Sequence, residues 1–276
     1  MCTRLTANRI DTDFNEIAQY LIAKADWVRK ETIKIHLLAP ETRLASSLSC
    51  VEILTVLFYG QIIVRDHKED YFIPSKAHGT ISLYPILADL GYISFQELKK
   101  VCNNGSLLGA IPDPNIPWYR TLNGSLGQGL GLGCGIAYGL KAKNDTRKIF
   151  VLIGDGELNE GSMWEAIMFA GHHELSNLIV ILDKNKTSML DRCQNILHLD
   201  PIEDKFKVFN WLTRVVNGHN VMELYYSLKD FRSVKTSKPK ILIANTIKGK
   251  GIPLLENDPQ SHIRTITTKE LNNIMG

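Results

Sequence analysis

The sequence is 276 residues long, with 44% hydrophobic and 22% charged residues and a net charge of +3. This composition is that of an ordinary globular protein, and it argues against intrinsic disorder, nucleic-acid binding and membrane binding. The five cysteines are odd in number and include no Cys-x-x-Cys pair, so we expect free thiols rather than disulfides or a zinc site. No apolar run approaches the roughly 20 residues of a membrane helix. These features predict a cytoplasmic protein.

Helical patterns dominate the first part of the chain. Apolar residues at helical spacing predict helices from Phe14 to His36 and through Val51 to Phe58. Ser49-Cys-Val-Glu52 has the form of a capping box, which predicts that the second helix begins there. Ser94-Phe-Gln-Glu97 repeats the signal before a short helix. From Asn103 to Asn123, glycines and prolines predict a loop.

Short, β-branched apolar runs in the rest of the chain are typical of strands buried in a parallel sheet. The runs are Lys148–Ile153, Leu178–Leu182 and Pro239–Ala244, separated by helical patterns at Ser162–Glu174 and Val221–Phe231. The capping box Ser162-Met-Trp-Glu165 marks the start of the first of these helices. This order predicts an α/β fold, doubly wound, with a mostly parallel sheet flanked by helices. No repeat or linker interrupts it, so residues 1–276 are expected to form one domain.

Polar turns follow two of the predicted strands. Gly154-Asp-Gly-Glu157 ends one strand and Asp183-Lys-Asn-Lys-Thr187 ends the next. Because the carboxyl ends of neighbouring parallel strands meet at the ligand-binding edge of such a sheet, Asp155 and Asn185 are expected to lie close together. Carboxylate, amide and carbonyl oxygens suit Mg²⁺, and glycines before a helix suit a phosphate. A lone Gly-Asp-Gly is more often a simple turn, but this context favours a Mg²⁺-bound diphosphate.

These residues also carry a family resemblance. The segment Gly154-Asp-Gly-Glu-Leu-Asn-Glu-Gly-Ser-Met-Trp-Glu-Ala166, followed by Leu182-Asp-Lys-Asn185, resembles the thiamine diphosphate signature in its transketolase form. The resemblance implies thiamine diphosphate and Mg²⁺ as cofactors. The implied metal ligands are Asp155, Asn185 and the carbonyl of Thr187. The implied cofactor contacts in these segments are Gly154, Gly156, Glu157 and Asn185.

A glycine-rich segment from Gly124 to Ala137 gives a second match. It contains no G-x-G-x-x-G pattern, which argues against a dinucleotide site, and its glycines also suit a helix packed closely on a sheet. Its start, Gly-Ser-Leu-Gly-Gln-Gly129, resembles the transketolase segment whose backbone approaches the cofactor. The implied cofactor contacts are Gly124, Ser125 and Leu126.

Two histidines match the family as well. Ser75-Lys-Ala-His-Gly79 resembles a segment whose histidine reaches the cofactor diphosphate and the sugar, which implies that His78 is catalytic and binds the cofactor. The segment from Thr246 to His262 resembles the end of the family's cofactor domain, and it implies the same two roles for His262. The remaining histidines lack such a match, and His219 is interpreted as part of a turn before a helix.

The substrate side departs from the family. Thr42-Arg-Leu-Ala-Ser-Ser-Leu-Ser49 stands where transketolases commonly carry Gly-His-Pro-Gly-Gly-Ser-Leu-Ser, so Arg43 replaces a substrate-binding histidine. The segment from Asp113 to Tyr119 lacks a second expected Gly-His-Pro. Because a guanidinium binds carboxylate or phosphate, Arg43 predicts an atypical, anionic or modified sugar. The alternative is that Arg43 points into solvent.

The resemblance runs from about Ala23 to His262 but covers only the amino-terminal part of a full transketolase. It implies a split enzyme that transfers a two-carbon ketol unit between ketose and aldose, with sugar or sugar phosphate substrates. The implied partner is a carboxyl-terminal subunit that carries the pyrimidine-binding domain and its glutamate, with a homodimer contact in an α2β2 heterotetramer. Two alternatives stay open: a subunit of a 2-oxoacid dehydrogenase or decarboxylase, which the Asn-Glu-Gly run disfavours, and a non-catalytic regulatory partner.

Overall fold

A computed structural model describes residues 14–65, 69–119, 121, 124–256, 258–267 and 269–270. Five strands form one parallel sheet in the order β1-β2-β3-β5-β4. The strands are β1 Tyr71–Pro74, β2 Ile149–Gly154, β3 Leu178–Lys184, β4 Leu212–Asn217 and β5 Lys240–Asn245. The helices are α1 Phe14–Leu38, α2 Leu44–Leu48, α3 Val51–Tyr59, α4 Leu83–Asp89, α5 Gly129–Ala142, α6 Gly161–His172, α7 Cys193–Ile196, α8 Ile202–Val208, α9 Val221–Ser233 and α10 Pro253–Glu256.

Helices cover both faces of the sheet. Phe150 and Leu152 of β2 belong to one buried cluster, which includes residues of α1, α3, α4 and α9. Val151 and Ile153, which point to the other face, belong to a second cluster with α5, α6 and α8. Burial on both faces requires apolar residues at successive strand positions, which explains the continuous apolar runs. The predicted α/β fold, with a parallel sheet flanked by helices, is confirmed.

The central strands lie within two residues of their predicted bounds, whereas the outer strands have no clear signal in the sequence. β1 has only four residues and ends in Pro74. β4 is half-buried or exposed at most positions, and it contains the polar residues Thr213 and Arg214. Within the described ranges, each outer strand pairs with one neighbouring strand. The predicted loop from Asn103 is confirmed as far as Tyr119, and of positions 120–123 only Thr121 belongs to the described residues.

The three predicted capping boxes are wrong in detail. Helix α3 begins at Val51, and the hydroxyl of Ser49 donates to Asp183 at 2.6 Å instead of capping the helix. Helix α6 begins at Gly161, and the hydroxyl of Ser162 donates to the carbonyl of Gly127 at 2.9 Å. The Ser94 signal precedes a 3₁₀ turn rather than an α-helix. In the first two cases a hydrogen bond to a distant residue, Asp183 in β3 or Gly127 in the loop before α5, replaces the local cap.

The glycines of α5 allow this helix to approach the sheet closely, as one interpretation of the sequence predicts. A Cβ atom at Gly129 would lie 2.4 Å from Ser75 Oγ, and one at Gly133 would lie 2.7 Å from Val151 Cγ2. These positions therefore require glycine. Among the described helices, none is long and apolar enough to cross a membrane.

Candidate active site

The carboxyl ends of β1, β2 and β3 and the segment after β5 surround a cavity of about 360 Å³. Most residues that the sequence predicts for the site line this cavity together. They are His78, Leu126, Gly154, Asp155, Gly156, Glu157, Asn185, Thr187 and His262. Gly124 and Ser125 are exposed and do not line the cavity wall, unlike their neighbour Leu126. The sequence pattern does not single out Ser46, Lys76 and Lys248, which line it too.

Asp155 and Asn185 present oxygen atoms to the cavity in fixed orientations. The buried Asp155 carboxylate accepts the backbone N–H groups of Gly156, at 2.8 Å, and Lys186. Burial, together with the negative charge of Asp183, raises the pKa of Asp155 to about 6. The amide nitrogen of Asn185 donates to Asp183 at 3.3 Å, and its oxygen accepts the Thr187 N–H at 3.1 Å. A buried carboxylate with a raised pKa is one that a cation would stabilise.

No group of three or more His, Cys, Asp and Glu side chains that could hold a metal occurs in the described part of the chain. A cation at the cavity would therefore depend on the mixed oxygen set of Asp155, Asn185 and the Thr187 carbonyl. That carbonyl already faces a positive charge, because the Lys248 ammonium donates to the carbonyl oxygens of Thr187 at 3.0 Å and Ser188 at 3.1 Å. Burial and the charge of Lys76 lower the pKa of Lys248 to about 8.

A buried ion pair between Lys76 and Asp183 lies beneath the cavity. Asp183 also accepts hydrogen bonds from Ser49, at 2.6 Å, and Thr246. Burial opposes ionisation of Asp183, but the Lys76 ammonium and these hydrogen bonds outweigh it and hold the pKa of Asp183 below its ordinary value. Because an ionised carboxylate only accepts hydrogen bonds, Asp183 fixes which side of the Asn185 amide faces the cavity.

Glu157 joins three segments of the cavity wall. Its carboxylate accepts hydrogen bonds from the Ser75 hydroxyl, from the Gly127 N–H at 2.9 Å and from the Gly154 N–H at 3.1 Å. Gly127 has a φ of +83°, a conformation that favours glycine. Burial raises the pKa of Glu157. The carboxylate oxygens are thus engaged within the protein, and Glu157 holds the glycine-rich loop against the ends of β1 and β2.

The imidazole rings of His78 and His262 face each other across 5.2 Å between ring centres. His262 Nδ1 lies 3.2 Å from both Lys248 Nζ and Ser46 Oγ. Because an ammonium only donates, Nδ1 accepts, and a neutral His262 carries its proton on Nε2. Burial first, and then neighbouring positive charges, lower the pKa of each histidine to about 3. Both rings are therefore neutral at physiological pH.

Arg43 is close enough for its charge to act on both histidines. Its guanidinium contributes to the lowered pKa of His78 and of His262. The half-buried side chain has no hydrogen bond or ion pair to any described residue, whereas its backbone carbonyl accepts the Ser47 N–H at the start of α2. Arg43 is not among the residues that line the cavity, so its role in substrate binding stays a prediction.

Acid should destabilise the wild-type protein more than a His78→Gln variant. The pKa of His78 falls from 6.5 to about 3 on folding, so the unfolded state binds more protons between these values, and the free energy of unfolding falls as the pH drops. Melting temperatures at pH 7 and pH 4 measure the effect, because groups common to both proteins cancel. His172→Gln, at an exposed histidine, is the control. An equal pH dependence in all three proteins would contradict the burial of a neutral His78.

Comparison with known proteins identifies the fold and its cofactor class. The family model described as "Transketolase, thiamine diphosphate binding domain" matches residues 45–275. The chain belongs to the transketolase family. It is 35% identical to one subunit of an apulose-4-phosphate transketolase from Actinobacillus succinogenes over 87% of this chain and 88% of the relative. It is 33% identical to a 6-deoxy-6-sulfo-D-fructose transketolase subunit from a Clostridium species over 88% and 90%.

Solved transketolases share the fold but are longer chains. The transketolase of Campylobacter jejuni superposes with a TM-score of 0.82 and 28% identity, and the match covers 88% of this chain but 40% of that one. The transketolase resemblance predicted from the sequence is thus confirmed, including the thiamine diphosphate-binding amino-terminal part. The cavity described above also includes Lys76 and Lys248. Both lie within the matched sequence motifs, but nothing in the sequence alone distinguishes them from surface lysines.

Proposed function

We propose that this chain is the diphosphate-binding subunit of a two-chain transketolase, which transfers a two-carbon ketol unit from a ketose to an aldose. The observation that carries the proposal is the single cavity where the oxygens of Asp155 and Asn185 meet the Lys248 ammonium and two neutral histidines. Relatives that are named as subunits and match along most of their length support the two-chain form. We further propose an α2β2 assembly, which the family resemblance implies, and a cytoplasmic location, which the free thiols favour.

The residues of the cavity fit Mg²⁺ and thiamine diphosphate. Asp155, Asn185 and the Thr187 carbonyl supply the hard oxygen ligands that Mg²⁺ prefers, and the ammonium of Lys248 beside them suits the diphosphate charge. At Gly156 an added Cβ would come within 3.1 Å of Ser188, which also lines the cavity. A side chain at position 156 would therefore reduce the space in the cavity. Thiamine diphosphate, when bound, supplies the stabilised carbanion on which ketol transfer depends.

The two neutral histidines are suited to orient the sugar through hydrogen bonds. His262 carries its proton on Nε2, because Nδ1 accepts from Lys248. Nε2 can therefore donate a hydrogen bond to a sugar oxygen. His78 is neutral, so its unprotonated ring nitrogen can accept a hydrogen bond from a sugar hydroxyl. Leu126 contributes to the cavity wall, and contacts from Gly124 and Ser125 to the cofactor remain predictions.

The substrate is proposed to be an anionic or otherwise modified sugar. Arg43 brings a permanent positive charge near both histidines and has no described partner that would neutralise it. The names of two relatives specify a sugar phosphate and a sulfonated sugar as their substrates. The phosphate and the sulfonate groups are both anions, which a guanidinium binds through paired hydrogen bonds.

Arg43→Ala should therefore lower kcat/KM for a ketose phosphate by about 10- to 100-fold, the value of one charge-assisted hydrogen bond. The same variant should change kcat/KM for the matching neutral ketose little, because that substrate has no anionic group for Arg43 to bind. Arg43→Lys, which keeps the charge, should fall between the wild type and Arg43→Ala. Full activity of Arg43→Ala on the phosphate would refute the substrate-binding role and favour a solvent-facing arginine.

A partner subunit is proposed to complete the site. Met189 and Leu190 line the cavity and are 56% and 75% exposed, so large apolar side chains stand at its rim. Exposed apolar groups at a functional site favour contact with another protein. The partner implied by the family is a pyrimidine-binding subunit whose glutamate protonates the cofactor ring.

Native mass spectrometry of the tagged chain, purified gently from its own cells, tests the proposal. A complex that holds a second chain, thiamine diphosphate and Mg²⁺ would support it, and ketose consumption by that complex, rather than 2-oxoacid consumption, would exclude the dehydrogenase and decarboxylase alternatives. A homo-oligomer that takes up no thiamine diphosphate when supplied with it would refute the catalytic proposal in favour of a regulatory role.

A further inference from the structure

His219 makes specific contacts with both of its ring nitrogens, although its sequence context indicates only a turn. It follows β4, and its side chain is 13% exposed. His219 Nε2 accepts the backbone N–H of Ile247 at 2.8 Å, and Nδ1 lies 3.0 Å from the Glu52 carboxylate. Because Nε2 accepts, the ring proton is on Nδ1 and is donated to Glu52. His219 therefore connects the turn after β4 to α3 and to the segment after β5.

The contacts continue from Glu52 to Arg29 and return to the same segment. The second oxygen of Glu52 contacts the Arg29 guanidinium, and another nitrogen of Arg29 donates to the carbonyl of Lys250 at 2.6 Å. The hydrogen bonds thus form a closed ring, which leaves the backbone at Ile247 and re-enters it at Lys250. Lys248, whose ammonium reaches the cofactor cavity, lies between these two attachment points.

Other contacts hold the same segment from the side of α2 and the sheet. The Gly249 N–H donates to the Ala45 carbonyl at 2.9 Å, and the Thr246 hydroxyl donates to Asp183. A Cβ at Gly251, where φ is +92°, would come within 2.8 Å of Arg29 Cδ, so the backbone lies directly against the arginine. Arg29, Glu52 and His219 do not line the cofactor cavity, although His219 lines an adjoining cavity whose wall also includes Asp155 and Lys248.

We propose that Arg29, Glu52 and His219 form a clamp that positions Lys248 in the cofactor cavity, an inference that rests on the proposed cofactor role of that cavity. A lysine side chain has four flexible methylenes and loses much conformational entropy when it is fixed. Fixing the backbone on both sides of Lys248 holds the base of this side chain, while the carbonyl oxygens of Thr187 and Ser188 hold its ammonium group. These three residues therefore act through Lys248, as positioning residues, and not on the substrate.

His219→Leu should weaken Mg²⁺-dependent binding of thiamine diphosphate by about 10-fold or more, as is usual when groups that orient a ligand-binding residue are removed. His219→Gln should bind nearly as tightly as the wild type, because its amide oxygen can accept the Ile247 N–H while its amide nitrogen donates to Glu52. The measurement is calorimetric titration of the protein, purified with any partner it carries, with thiamine diphosphate and Mg²⁺.

A double-mutant cycle with Lys248→Met separates positioning from general destabilisation. If His219 acts through Lys248, the double variant should bind no more weakly than Lys248→Met alone; additive losses would overturn the clamp. Phe206→Leu, which alters a buried core residue on the opposite face of the sheet, should lower the melting temperature without changing cofactor affinity.

Amide hydrogen exchange distinguishes failure of the clamp from failure of the proposed function. In the unliganded protein, His219→Leu should speed exchange of the Ile247 amide while amides in β2 stay protected, and unchanged exchange would overturn the clamp. A wild-type complex that binds no thiamine diphosphate would refute the proposed function, and faster exchange at Ile247 in the variant would still support the clamp around Lys248.

Discussion

Asp155→Asn is expected to weaken Mg²⁺-dependent binding of thiamine diphosphate by at least about 100-fold, because even residues that only support metal ligands often contribute 10- to 100-fold. The wild-type carboxylate supplies a full negative charge in a buried position, and both of its oxygens accept backbone N–H groups, from Gly156 and Lys186. An amide would remove the charge and turn an NH₂ group toward one of these donors. Calorimetric titration with and without Mg²⁺ measures the loss.

Loss of binding in this variant should not come from misfolding. Burial raises the pKa of Asp155 to about 6, so above that pH the ionised carboxylate destabilises the fold when no cation is bound. The neutral amide removes this destabilising charge. The gain offsets part of the destabilisation that arises where the new NH₂ group faces a backbone N–H donor. The metal-free variant should therefore melt within a few degrees of the wild type. Asp204→Asn, at an exposed carboxylate of α8, should bind cofactor normally. Unimpaired binding by Asp155→Asn would remove Asp155 from the metal site.

Glu157→Gln is expected to lower the free energy of unfolding by about 1–3 kcal/mol, because a buried oxygen that accepts hydrogen bonds becomes a donor facing another donor, while loss of the buried charge offsets part of this cost. Ser75, Gly127 and Gly154 all donate to the wild-type carboxylate, so neither orientation of the amide satisfies all three. Urea denaturation measures the change. Glu165→Gln, at an exposed position of the next helix, is the matched control.

The two Glu157 outcomes have different meanings for the site. A loss of stability with weaker cofactor binding would mean that Glu157 supports the cavity by holding the glycine-rich loop in place. An unchanged free energy of unfolding would show that the contacts with Ser75 and Gly127 contribute nothing measurable, and direct contact with the cofactor would become the better explanation of this glutamate.

The sequence predicts well those site residues whose position follows from the strand directly before them in the chain. Asp155 and Asn185 each follow a buried strand, and neighbouring parallel strands necessarily bring their carboxyl ends together. The helix and strand periods are likewise local properties, so the three central strands and the long α1 follow from spacing alone. A short strand at the edge of the sheet, such as the four-residue β1, contains too few residues to show a pattern of apolar and polar positions.

The remaining site residues depend on contacts between distant segments. Ser49 looks like a helix cap because of its neighbours, yet its hydroxyl binds Asp183, which is 134 positions away. His219 reaches Glu52 across 167 positions. No local pattern reports such pairings, and a single sequence contains no record of which distant residues meet. Arg43 is different, since its departure from a family motif is visible, while its approach to two histidines is not.

The sheet is complete before the cavity is. β5 ends at Asn245, but Lys248 and His262 follow it in the chain, and His262 reaches back to Ser46 across 216 positions. During synthesis, every strand therefore leaves the ribosome before the last cavity residues do. Because domains begin to fold as their segments emerge, the strands can pair before His262 is in place, but the core also takes Ile252, Leu255 and Ile266 from this last segment. The segment after β5 therefore completes the core and the cavity together.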